Sequence, residues 1–224
     1  MPEAAGAARV APRPVDPGAA RRAAASDPGA APPARDTGAR TDRIGPNAAL
    51  QLAAALSDWR GDAVARALFA RVGLVDWLDD PPGALVPAAP VERLYACLYA
   101  DFPQDAARLA AEAGRRTADY VIANRIPAPV RGLLTALPPV LAAPLLIRAI
   151  EKNAWTFVGG GRLTVVSRKP ATFALQDHPL TLPGVPWHAA VFARLFQVLV
   201  SPRARASVVE DRGLAGAAIA VSWT

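Results

Sequence analysis

Trp155-Thr156-Phe157-Val158-Gly159-Gly160-Gly161-Arg162-Leu163-Thr164-Val165-Val166 is the stretch at which this chain changes character. Before it, large apolar residues recur at helical spacing. From it onward, short runs of β-branched and aromatic residues alternate with glycine and proline. The stretch predicts two strands, 155–158 and 163–166, with Gly159-Gly160-Gly161 as the hairpin or bulged turn between them.

Working downstream, residues 173–176 form a short third strand candidate. An amphipathic helix over 188–200 carries Val191, Phe192, Leu195, Phe196 and Leu199 on one face and stops at Ser201-Pro202. Two further strands are expected at 206–210 and 217–223. Upstream, everything reads as helix. Gly45-Pro46-Asn47 makes a turn, with Asn47 as N-cap of a helix through Leu50, Leu52, Ala53 and Leu56. A second helix starts at Gly61-Asp62, aligns Val64, Leu68 and Val72, and ends at Gly73. After a proline-rich loop over 81–90, a third helix spans 91–102. The best-defined helix, 104–124, lies between Pro103 and Pro127, with Leu109, Ala113, Tyr120 and Val121 as its buried stripe. Arg108–Glu112, Glu112–Arg116 and Arg115–Asp119 have i,i+4 spacing on its solvated side. Residues 130–154 are apolar but broken by proline, which predicts two short helices. Helices first and strands later argue for an α+β fold, with helices packed on a small antiparallel sheet.

Residues 1–43 are mostly Ala, Pro, Gly and Arg, with Met1, Val10 and Val15 as the large apolar side chains. Such a segment cannot bury enough surface to offset an ordering cost of ~1–2 kcal/mol per residue, so it is expected to be a disordered tail. The folded domain is therefore assigned to 44–224.

Composition removes several functions. The net charge of +6 comes from arginines spread over all 224 residues without a dense basic block, which argues against nucleic-acid binding. The single cysteine, Cys97, allows no intrachain disulfide and no four-cysteine metal or iron–sulfur site from one chain. It falls in an apolar helical pattern and reads as a small buried hydrophobe. The longest uncharged run, between Arg131 and Arg148, is shorter than the ~20 residues of a spanning helix and contains Pro138, Pro139 and Pro144. No secretion signal is recognisable. A cytoplasmic location is expected, with peripheral contact to a membrane as its variant.

No GxGxxG or GxxxxGK[ST] pattern offers a nucleotide site, so no cofactor is evident. His178 lies in Asp177-His178-Pro179 and reads as an exposed loop residue. His188 opens the last helix beside Trp187, where an imidazole could meet the edge of a flat ligand or its central metal. Tyr120, Trp155, Phe157, Trp187, Phe192 and Phe196 could line an apolar pocket between helices and sheet, with an arginine near its mouth. Ordinary core packing is the competing explanation.

Four segments taken together carry a specific resemblance: Arg43-Ile44-Gly45-Pro46-Asn47-Ala48, Glu112-Ala113-Gly114-Arg115-Arg116-Thr117-Ala118-Asp119-Tyr120, Ala154-Trp155-Thr156-Phe157 with Gly159 to Arg162, and Phe192-Ala193-Arg194-Leu195-Phe196. Over about residues 43–200 the chain resembles the bacteriochlorophyll 4-vinyl reductase family of photosynthetic bacteria. The resemblance implies a role in bacteriochlorophyll synthesis, with divinyl protochlorophyllide as substrate and its 8-vinyl (4-vinyl) group as target. It also implies an α+β fold similar to transport-particle (TRAPP) subunits, and a homodimer. Relatives in the wider domain family carry cysteines before the last helix and near the C-terminus. Here those positions read Val185-Pro186-Trp187-His188 and Gly213-Leu214-Ala215-Gly216-Ala217, so no metal site is carried over.

Two functions follow from the resemblance. One is a binding module that holds a magnesium-porphyrin intermediate and delivers it to other bacteriochlorophyll biosynthesis enzymes, magnesium entering only as part of the ligand. The other is the reductase itself, which would need NADPH or another two-electron donor. A ligand-free dimeric scaffold is a third. Tyr120, Trp155, Phe157, Trp187, His188 and Phe192 are the candidate ligand-binding residues, with Arg115 or Arg116 available to pair with pigment carboxylates.

Overall fold

The computed structural model describes residues 43–223. The tail expected over 1–43 lies outside them, apart from Arg43. That residue begins strand β1 (Arg43–Ile44), which pairs antiparallel with β2 (Val86–Pro87). The helices are α1 (Asn47–Arg60), α2 (Asp62–Arg71), α3 (Ala88–Asp101), α4 (Ala106–Asn124), α5 (Ala128–Ala136), α6 (Pro139–Lys152), the single turn α7 (Trp155–Val158) and α8 (Pro186–Leu199). Strands β3 (Arg162–Arg168), β4 (Ala171–Gln176), β5 (Arg205–Asp211) and β6 (Ala217–Ser222) form an antiparallel sheet in the order β3-β4-β6-β5. The architecture is α+β, as the helix-then-strand order predicts. No helix of the described residues is long and apolar enough to cross a membrane.

The core is built around α8. The central strands β4 and β6 bury alternate residues, Ala171, Phe173 and Leu175 on one and Ala217, Ile219 and Val221 on the other. This period of two gives the sheet one apolar face. α8 covers it: Phe192 stacks on Phe173 with ring centroids 4.7 Å apart, and Phe196 stacks on Trp223 at 5.3 Å. The opposite side of α8 packs against α4, and α4 in turn against α1. Gly114 sits at the closest approach of the α4–α8 pair. A Cβ there would lie 2.2 Å from the carbonyl oxygen of Trp187, so only glycine lets α4 come this near.

On its outer side α4 carries an ion-pair network. Glu112 accepts from Arg115 and Arg116, each at 2.6 Å, and Arg116 reaches across to Asp58 on α1. Asp119 pairs with Arg115 and with Arg194 of α8. Hydrogen bonds from Arg115, followed by Arg116, hold the Glu112 carboxyl down at about 2. Arg108 departs from its expected partner and pairs with Asp105.

Both edge strands carry a β-bulge. The β3–β4 register shifts between Val165 and Ser167, and the β5–β6 register between Val208 and Glu210. Val166 and Val209 are the extra residues, 68% and 64% exposed.

Several local expectations are corrected. Residues 155–158 are a helical turn, not a strand: Val158 N–H donates to Ala154 and Gly159 N–H to Trp155. Gly159, at φ 54°, then lets the chain turn beside the Arg43 carbonyl, where a Cβ would come within 2.0 Å. The glycine run therefore joins helix to strand, and the hairpin of β3 and β4 turns at Lys169-Pro170 instead. Asn47 does not cap α1. The carbonyls of Gly45 and Pro46 receive the first amides, so no side chain is needed there. Cys97 and Tyr120 are half-buried, not buried.

Candidate functional site

The first turn of α8 begins from an unusual backbone. Val185, the residue before Pro186, has φ 43° and ψ 41°. A β-branched residue in the left-handed region costs roughly 1–3 kcal/mol and persists only where its surroundings enforce it. It is the last of a set: Asp177 (φ 48°) and Leu180 (φ 62°) in the same loop also have positive φ. The loop 177–185 is pinned from outside by Asp211 of β5. That carboxylate accepts the Gly184 N–H at 2.7 Å and the Gly213 N–H at 3.0 Å. These amides, Gly213 foremost, hold its pKa below the ordinary carboxylate range.

Beneath the loop lies a pair of buried imidazoles. His178 and His188 are 5% and 0% exposed, with ring centroids 4.7 Å apart and edge-to-face. Trp187 packs against His188 at 4.8 Å, and Phe157 against Phe192 at 5.7 Å. The hydrogen bonds define the tautomers. His178 Nδ1 lies 2.9 Å from the Pro179 carbonyl and His188 Nε2 3.2 Å from the Phe157 carbonyl. A carbonyl only accepts, so each of these nitrogens carries the proton and the other ring nitrogen keeps a bare lone pair. His178 Nε2, His188 Nδ1 and the indole nitrogen of Trp187 are all buried without a partner among the described residues. Burial, ahead of the opposing pull of the Pro179 carbonyl, Asp211 and Asp177, lowers the His178 pKa. Burial and the neighbouring His178 push His188 well below the ordinary range. Burial thus favours the neutral form of both rings, the state in which an imidazole nitrogen serves as a ligand or hydrogen-bond acceptor.

Of the residues expected to bind ligand, Phe157, Trp187, His188 and Phe192 come together here. Each is 3% exposed or less, so they meet as packed core. Trp155 stands apart, 49% exposed. Tyr120 is half-buried on α4, while Arg115 and Arg116 are committed to Glu112, Asp119 and Asp58. The exposed position expected for His178 is wrong. Asp-His-Pro has the composition of a surface turn, but here the ring folds inward onto His188. Sequence reading also missed Asp211, because nothing local in Glu-Asp-Arg-Gly signals a contact with Gly184. A cavity of about 250 Å³ opens elsewhere, lined by Ala53, Ser57, Asp62 and Arg66 among others, and includes none of the expected residues.

A protein of Cereibacter sphaeroides named bacteriochlorophyll synthase 23 kDa chain is 41% identical over 166 residues, covering 71% of this chain and 80% of its own. One of the same name from Rhodobacter capsulatus is 37% identical over 193 residues, covering 84% of this chain and 88% of its own. No family model matches the chain. No solved structure matches either, so the likeness to transport-particle subunits carries no further argument. Identity at this level over this much of both chains makes the relationship one of family: the chain belongs to the bacteriochlorophyll synthase 23 kDa chain family and is a bacteriochlorophyll biosynthesis-related protein.

Proposed function

We propose that the chain binds a magnesium-porphyrin intermediate, divinyl protochlorophyllide, and hands it to other bacteriochlorophyll biosynthesis enzymes for reduction of its 8-vinyl (4-vinyl) group. The observation that carries this reading is the neutral imidazole pair, with bare nitrogens and aromatic neighbours, beneath a strained loop held by Asp211. In the closed form described here the cluster is packed. In this reading pigment would enter when loop 177–185 lifts, and His188 Nδ1 would then be available to ligate its magnesium. Phe157, Trp187 and Phe192 then face the macrocycle. The left-handed residues lower the cost of opening, because strain in the closed loop is released as it lifts.

The test is a titration of divinyl protochlorophyllide with purified protein in the dark, followed by absorption and fluorescence, with NADPH added at saturation. Saturation near about one pigment per chain is expected, with affinity falling roughly tenfold or more in His188→Ala. NADPH is expected to leave the spectrum unchanged. Conversion to the monovinyl spectrum would make the chain the reductase itself, and the carrier reading would fail. Absence of saturable binding would overturn the pigment site altogether.

A further inference from the structure

α5 and α6 follow one another through Leu137-Pro138, and each buries one side only: Leu134 on α5, and residues such as Ala143, Leu146 and Ile147 on α6. Their outward sides are not polar. Val130 and Leu133 on α5 are 44% and 53% exposed, while Val140, Leu141 and Leu145 on α6 are 70%, 53% and 47% exposed. Single exposed apolar residues are ordinary on any protein surface. Here, among the described residues, six of the nine large exposed hydrophobics fall between Val130 and Trp155, which makes the feature a patch.

Charge says what kind of partner suits it. Between Tyr120 and Trp155 the charged residues are Arg125, Arg131, Arg148 and Lys152 against a single acid, Glu151, which is exposed near the end of α6. Arg131 is occupied at the end of α4, donating to the carbonyls of Ile122 and Ala123 at 2.8 and 3.0 Å. Arg125 and Arg148 are exposed, and Arg148 falls three and seven residues after Leu145 and Leu141, on the same side of α6. Self-association through this face in a two-fold dimer would press its basic excess together, with Glu151 as the single acid to answer it. An anionic lipid surface complements both parts, accepting the apolar side chains at the acyl boundary and the guanidinium groups at the phosphates.

We infer that the outward face of α5 and α6, with Trp155 after it, docks the protein onto anionic membrane lipid. The helices lie on the membrane and do not span it. α6 has 14 residues, short of the ~20 a crossing requires. The inference does not depend on the pigment reading, because no residue of the imidazole cluster takes part.

The experiment is flotation of the full chain with phosphatidylcholine vesicles, with and without roughly 30% phosphatidylglycerol. The variants are Leu133→Ser/Val140→Ser/Leu141→Ser together, and Arg148→Gln alone. These side chains are exposed, so circular dichroism and melting are expected to match the parent. The parent is expected to float with the anionic vesicles and not with the neutral ones. The triple variant should lose roughly tenfold or more in partitioning, and Arg148→Gln roughly fivefold. No flotation of the parent on anionic vesicles overturns the inference. So does flotation unchanged in the triple variant, which places the attraction elsewhere, as in the arginines of residues 1–42. A sedimenting dimer that the triple variant dissociates gives the face to a second copy and overturns it too.

Discussion

Lowering the pH from 7 to 5 is expected to destabilise the fold through its two buried imidazoles. Both histidines have folded pKa values below the ordinary 6.5, chiefly through burial, and His188 lies well below it. The unfolded chain therefore binds protons in this window that the folded chain refuses, and stability falls as pH drops below about 6.5. An imidazole that stays neutral while its unfolded counterpart charges costs at most about 1.4 kcal/mol per pH unit, a limit approached only below about pH 6.5, so about 2.7 kcal/mol per unit is the upper bound for the pair. Glu112 works in a separate window. Its depressed pKa of about 2, against 4.5 ordinarily, contributes stability that is lost only as pH falls below about 4.5. Urea unfolding at pH 7, 6 and 5, followed by circular dichroism, gives the slope directly. His188→Gln is expected to remove the larger part of it, since that ring is held further below the ordinary range, whatever it does to stability at pH 7. His178→Gln gives the same readout should the first variant fail to fold. Stability that stays flat between pH 7 and 5, or a slope unchanged in both variants, would refute the argument.

Gly114→Ala places a methyl group 2.2 Å from the Trp187 carbonyl oxygen, against backbone that cannot rotate away. A loss of roughly 1–3 kcal/mol is expected in the urea midpoint, together with an altered near-ultraviolet signal from Trp187. Asp211→Ala removes the acceptor of the Gly184 and Gly213 amides and should release loop 177–185. Amide hydrogen exchange at Gly184 is expected to accelerate while α4 and α8 keep their protection; equal exchange in parent and variant would mean the carboxylate does not hold the loop.

Much of the fold was legible from sequence because its helices have long apolar stripes and its sheet has alternating ones. The pattern of Leu109, Ala113 and Val121 places α4, and that of Val191, Phe192, Leu195 and Phe196 places α8. Trp-Thr-Phe-Val misled because four residues of high β propensity carry no period long enough to distinguish strand from helix. Backbone hydrogen bonds to Ala154 and Trp155 decide it as a turn of helix. Part of the candidate site was readable in the same way, since Phe157, Trp187, His188 and Phe192 are large side chains near element boundaries. His178 and Asp211 were not, because each acts through residues distant in sequence or across a loop. Val185 at φ 43° runs against its own residue preference, so only tertiary structure could reveal it. The apolar run of α5 and α6 was visible, but spacing alone does not say that half of it faces outward.

The bulges at Val166 and Val209 bear on how this protein behaves when crowded. A regular outer strand is a template on which another chain can continue the ladder, in a fibre or a swapped hairpin. Here both margins are interrupted by an unpaired residue, which bends the strand and breaks the repeat of donors and acceptors an incoming strand would have to match. Valines at these two positions are tolerable for that reason, since an apolar side chain on a broken ladder has no neighbouring strand to recruit. Extension of the four-stranded sheet by an added strand is thereby disfavoured at both of its margins.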